Sequence, residues 1–143
     1  MSESNTSPYL LFTLMDSTYA IDLQQVAEVV EPPPLSPIPR APAHLIGAMN
    51  SHGNIKAVVD LSLMLNQGHR KFDGKILVLE DRFASLAIWV DGVLAIAATE
   101  TMERKPTEED DELSDWIISD GTQVIRLLAL DKLLQRLEAT ING

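Results

Sequence analysis

Three residue types that carry hydrolytic chemistry fall between positions 51 and 60: Ser51, His52 and Asp60. Such a set serves as nucleophile, base and orienting acid only where the three side chains converge, and neighbours in a turn point apart. Asp60 has a simpler use as a helix cap. The other histidines, His44 and His69, are separated from His52 by intervals that place no pair on one helical turn or one strand face. Converging metal ligands are therefore not legible. The chain has no cysteine, which removes disulfides, thiolate nucleophiles and most structural zinc sites. A Gly-Lys-Ser/Thr phosphate loop is also absent. Neither an enzyme nor a cofactor or metal binder is expected.

These residues sit in a stretch, 47–65, that organises the chain. Asn50 to Asn54, with Gly53 inside, is a turn signal, because glycine takes a positive φ that other residues resist. The β-branched run Ile55 to Val59 suits a pleated, half-buried surface. Asp60 then caps a short helix whose Leu61, Met64 and Leu65 share one face. The order is turn, strand, cap, helix.

Composition narrows the partners. The 143 residues are 45% apolar and 22% charged, with 21 acidic and 11 basic side chains and a net charge of −10. A chain of this length buries about 70% of its unfolded surface, enough for one domain or two small barrels sharing a core. Its negative field repels phosphate backbones and anionic headgroups, so nucleic acid and membrane surfaces are poor partners and proteins are better ones. The densest run, Glu108 to Glu112, reads as a solvated loop. Residues 1–8 read as a flexible N-terminus without a signal peptide, and the longest apolar stretch, Ala84 to Ala98, is broken by Asp91 and Gly92. No membrane insertion and a cytoplasmic location are expected.

Along the chain, Leu10, Phe12 and Leu14 alternate with Leu11, Thr13 and Met15, a strand with two rather apolar faces. Asp16-Ser17 turns it back through Tyr19 and Ile21, and Asp22 opens a single helical turn. A run of prolines between Pro32 and Pro42 then makes an extended connector. The second half repeats the first. Leu10, Phe12, Tyr19, Ile21, Val26 and Val29 recur without a gap, in the same order and spacing, as Leu77, Leu79, Leu86, Ile88, Val93 and Ile96. Ile55, Val58, Val59, Leu61, Met64 and Leu65 recur in the same way as Val124, Leu127, Leu128, Leu130, Leu133 and Leu134, after a slightly longer second connector. Two similar units of about five short strands, over about 9–70 and 76–134, follow from this duplication, each suited to a small closed barrel. Trp89 is expected in the core, and Trp116 is placed equally well in core or interface. A closing helix at 131–141 should pack Leu130, Leu133, Leu134, Leu137 and Ile141 on one side.

The pieces Phe12-Thr-Leu, Tyr19-Ala-Ile-Asp22-Leu, Val26-Ala-Glu28-Val29, Asn50-x-x-Gly53, Val59-Asp60-Leu61, Val90-Asp91-Gly92-Val93 and Leu130 to Leu134 stand in an order and spacing that resembles the CheW-like domain family. The resemblance covers about Tyr9 to Leu134. It implies one domain, 9–143, an all-β fold of two intertwined five-stranded SH3-like barrels with short helices and a C-terminal helix. It also implies a non-catalytic adaptor that joins the regulatory domain of a CheA-type histidine kinase to the cytoplasmic tip of chemoreceptors. By the same resemblance, partner contact involves Val26, Glu28, Val29, Gly47, Asn50, His52, Gly53, Val90 and Val93. Two positions depart from the family: His52 stands where arginine is common, and Ala57 where proline is. Arginine offers five donors and a permanent charge, histidine at most two donors and a conditional charge. The expectation is a divergent coupling protein. Its rivals are a competitor that occupies the kinase alone, and a small ligand-binding or enzymatic barrel using the groove near His52.

Overall fold

A strand with two apolar faces is satisfied only when each face meets a core. The computed structural model describes residues 7–65, 73–98, 102–107, 111–119 and 121–142. His69, residues 1–6 of the expected flexible N-terminus, and Glu108 to Asp110 of the acidic run lie outside the described residues. In the first half the strands are β1 (Tyr9–Leu14), β2 (Ser17–Asp22), β3 (Val26–Val30), β4 (Leu45–Ser51) and β5 (Asn54–Asp60), ending in the single helical turn α1 (Leu61–Met64). In the second they are β6 (Lys75–Leu79), β7 (Leu86–Val90), β8 (Gly92–Ala97), β9 (Glu103–Pro106), β10 (Ser114–Ser119) and β11 (Val124–Leu128), ending in α2 (Leu130–Asn142).

The two-sided strands divide their side chains between cores. Leu10, Phe12 and Leu14 of β1 enter a central cluster with Leu77, Ile88 and the leucines of α2, whereas Tyr9 and Leu11 face a second cluster with Ile118 and Ile125. Correspondingly, β6 and β7 send Leu77, Leu79 and Ile88 to the centre and Ile76, Val78 and Trp89 to a third cluster. Trp89 is thus a core residue, as expected.

Two sheets carry this arrangement, ordered β8-β1-β2-β11-β10-β9 and β3-β6-β7-β5-β4. We call them barrel A and barrel B. Under the internal repeat, β1, β2 and β3 correspond to β6, β7 and β8, and β4 and β5 to β10 and β11. The two sheet orders then become the same order, apart from the extra β9. In each sheet the hairpin of one half is flanked by strands of the other. The parallel pairings repeat residue by residue, Ala20 facing Leu127 as Ala87 faces Val58. Residues 9–70 and 76–134 are therefore units of sequence, and each barrel is built from both.

Contacts between edge strands show the rolling of barrel B. β3 and β4 end opposite sides of the sheet, yet Glu28 of β3 accepts a hydrogen bond from the Ser51 hydroxyl of β4 at 3.3 Å. Inside the roll, Lys56 is 3% exposed, its Nζ donating to the Leu79 carbonyl at 2.7 Å and pairing with Asp81.

Capping follows the sequence. Asp60 accepts a bond from the Leu63 amide, and Asp22 accepts one from the Gln24 amide at the 3-10 turn Leu23–Gln25. Ser7 and Pro8 are not loose, since Ser7 donates to Asp22 and the Pro8 carbonyl accepts from Leu23. In the acidic run, Asp111 is structural: its carboxylate accepts from the Leu113 and Ser114 amides and pairs with Arg126.

On α2, Leu130, Leu133 and Leu137 are buried, but Ile141 is 61% exposed, so the expected leucine stripe ends a turn early. Near that end, His44 Nε2 lies 3.1 Å from the Thr140 hydroxyl. Burial, with Arg136 adding repulsion, lowers the His44 pKa below its usual 6.5. The unfolded chain then binds this proton more readily than the folded one. Stability from this group is complete above pH 6.5 and falls as pH drops through the lowered value. His44→Gln should flatten the midpoint of urea unfolding between about pH 7 and 5.

Candidate functional site

The β4–β5 hairpin carries the residues marked by the sequence. His52 and Gly53 form its two-residue turn with φ of 51° and 87°, the paired positive values that match the twist of a hairpin. The Asn50 side-chain oxygen accepts a bond from the Gly53 amide at 2.9 Å, locking the turn. The β-strand and capped turn that follow agree with the sequence reading.

Gly47 answers to a different constraint. The proline-rich connector returns over β4, where Ser36 and Ala48 exchange backbone hydrogen bonds. A Cβ on Gly47 would lie 2.8 Å from Leu35 Cβ and 3.0 Å from the Ser36 carbonyl oxygen. Glycine is needed there so that the connector can close over the strand. Gly47 is itself buried, beneath Leu35 rather than at the surface.

His52 projects from the turn, its side chain 79% exposed, with Nε2 2.8 Å from Glu28 Oε2. That oxygen also receives the Ser51 hydroxyl. An exposed contact of this kind contributes little to stability, so its effect is chiefly positional: it fixes the hairpin tip against β3. Beside Glu28, Val29 is 41% exposed, while Val26 is half-buried against the central cluster. The structure thus brings Glu28, Ser51 and His52 together, with Asn50 and Gly53 shaping the turn and Val26 and Val29 on the same strand as Glu28.

Two expected residues fall elsewhere. Val90 is fully buried in the central cluster, because every residue of β7 is covered on both faces of its strand, and no direct contact with a partner is open to it. Val93 lies on β8, the edge of the other sheet, half-buried against the same cluster. Ser51 was marked in the sequence only as part of a hydrolytic set, and the Lys56–Asp81 pair was not singled out, although one lysine inside the apolar run Ile55 to Val59 was a signal that a charge had to be accommodated.

The residue types of a hydrolase do not converge. His52 pairs with Glu28, Asp60 caps α1, and Ser51 donates to Glu28. No group of three or more His, Cys, Asp or Glu among the described residues is placed to hold a metal ion. No helix among them is long and apolar enough to cross a membrane.

Comparison with known proteins gives three findings. The family model for the CheW-like domain matches residues 8–138. A chemotaxis protein CheW from Rhizobium meliloti (strain 1021) is 24% identical over 102 residues, which are 70% of this chain and 66% of that protein, just under two thirds of its length. The crystal structure of the scaffolding protein TtCheW from Thermoanaerobacter tengcongensis superposes with a TM-score of 0.75 at 23% identity, covering 87% of this chain and 90% of that one. At that identity the last likeness is one of fold.

Proposed function

The chain belongs to the CheW-like domain family, and from that membership we propose that it couples a CheA-type histidine kinase to chemoreceptors by binding both. Proteins of this family are non-catalytic scaffolds and adaptors of chemotaxis signalling. The finer reading names the kinase regulatory domain and the cytoplasmic receptor tip as partners. It is supported by one observation above all: the hairpin tip at His52 is held against β3 by Glu28, on the edge strand of barrel B whose other face carries the exposed Val29.

A second reading, a competitor that binds the kinase alone, draws on the exchange of the common arginine for His52. An arginine would keep a bidentate fork for a partner carboxylate, whereas the histidine ring is already engaged by Glu28. The enzymatic or ligand-binding alternative near His52 has no support, because that side chain is exposed on a turn.

Calorimetric titration tests the surface. Val29→Asp should leave the thermal transition in place and weaken receptor-fragment binding by about tenfold or more, as expected when a charge enters an apolar contact. His52→Arg should tighten it. Unchanged affinity in both variants would remove this edge of barrel B from the contact.

A further inference from the structure

The two halves also pair residues that differ in kind, and one difference leaves a cavity. In barrel B, Trp89 stands opposite Ile76 in the β6–β7 ladder and packs at 7% exposure with Met49 and Val58, while Leu35 and Ile46 lie against the same cluster. Gly74 makes room for it, since a Cβ there would lie 2.3 Å from the indole Nε1 and 2.6 Å from the Val90 carbonyl oxygen. The repeat counterparts of Gly74 and Trp89 in the first half are Ser7 and Asp22, with Asp22 opposite Tyr9. There the Ser7 hydroxyl donates to Asp22 Oδ1 at 2.9 Å. Where one barrel closes over an indole, the other has a short carboxylate.

A cavity of about 440 Å³ lies at that end of barrel A, lined among others by Tyr9, Asp22, Trp116, Leu127 and Leu134, and by Phe83 from the loop after β6. Of its walls, Tyr9, Asp22, Asp115 and Leu127 are the repeat counterparts of Ile76, Trp89, Ile46 and Val58, all in or against the core of barrel B. Trp116 and Phe83 are 36% and 38% exposed, and the Arg104 guanidinium lies 4.4 Å from the centre of the Trp116 ring. Among the lining residues Asp22, Asp115 and Asp131 outnumber Arg104; outside the lining, Lys132 offsets Asp115 at 2.9 Å and the Arg82 guanidinium lies 4.9 Å from the centre of the Phe83 ring.

We propose that this cavity is a docking pocket for one bulky aromatic side chain of a partner polypeptide, tryptophan above all, flanked by lysine or arginine. The same strand framework in barrel B closes over an indole, which supplies the shape argument. The volume falls in the range of about 300–1,000 Å³ usual for binding pockets. Buried aromatic anchors dominate many interfaces, and the three aspartates of the lining favour cationic neighbours. This pocket is separate from the His52 surface and does not depend on the coupling role.

Amide NMR on the full chain, titrated with the capped tripeptides Lys-Trp-Lys, Lys-Ala-Lys and Glu-Trp-Glu, tests it. Lys-Trp-Lys should shift Tyr9, Gln25 and Leu127 saturably, with each of the other two peptides binding about tenfold or more weakly. The double substitution S7G/D22W copies barrel B, fills the cavity with the chain's own indole, and should abolish binding while the spectrum remains that of a folded protein. Asp131→Lys, a surface change, should reverse the preference between Lys-Trp-Lys and Glu-Trp-Glu, and it decides the matter alone if the double variant fails to fold. Equal binding of the Trp and Ala peptides, shifts lying away from the cavity, retained binding by a folded S7G/D22W, or an unchanged charge preference in Asp131→Lys would overturn the proposal.

Discussion

Phe12→Ala should lower the unfolding free energy by about 3–5 kcal/mol, the cost of removing a buried aromatic ring and leaving a hole. Phe12 is fully buried in the central cluster and stacks on Tyr19 with ring centres 5.8 Å apart. The loss should be felt by both barrels together. Because each sheet takes its hairpin from one half of the sequence and its flanking strands from the other, neither barrel keeps a complete set of strands when the other opens. Trp89 reports on barrel B and Trp116 on barrel A. In single-tryptophan versions of the Phe12→Ala chain, the two urea transitions should coincide. Separate midpoints would mean that the barrels unfold independently, contrary to the exchanged topology.

Gly74→Ala is the second large effect, expected at about 3 kcal/mol, the upper end for overpacking. The added methyl meets the Trp89 indole and the Val90 carbonyl oxygen, and the latter is backbone. Trp89 is held by its neighbours and has little room to retreat. In a Trp89→Leu background the indole clash is gone, so Gly74→Ala should cost clearly less there, leaving the part owed to Val90. A double-mutant cycle by chemical denaturation reads this coupling. Equal costs in both backgrounds would show that the backbone contact alone is responsible.

Much of the fold was legible because its causes are local or periodic. The turn at His52-Gly53, the β5 strand and the Asp60 cap each follow from residue type, and the repeat of apolar positions implied two barrels of similar build. Which strands pair with which was harder. Apolar periodicity tells that β1 and β6 each have two buried faces, but it is the same whether a hairpin packs with its own half or with the other. Gly47 was singled out as part of a signature, while the reason for it, a connector passing overhead, depends on a contact with Leu35 remote in sequence. Val90 was misplaced for a similar reason: in a strand with every residue buried, sequence alone does not tell surface from centre. The Glu28–His52 pair joins β3 to the turn after β4, consecutive in the chain but at opposite edges of the sheet, and it became visible only when barrel B closed.

The coupling role itself is tested most directly by a mixture. Purified chain, the regulatory domain of a CheA-type kinase from the same organism and a fragment of a receptor's cytoplasmic tip would be combined pairwise and together, and analysed by sedimentation velocity. The predicted result is a binary complex with each partner and a larger ternary species that forms only when this chain is present. Binding to the kinase domain alone, or a receptor fragment that displaces the kinase domain, would contradict coupling and favour a competitor; binding to neither would leave a family fold put to another use.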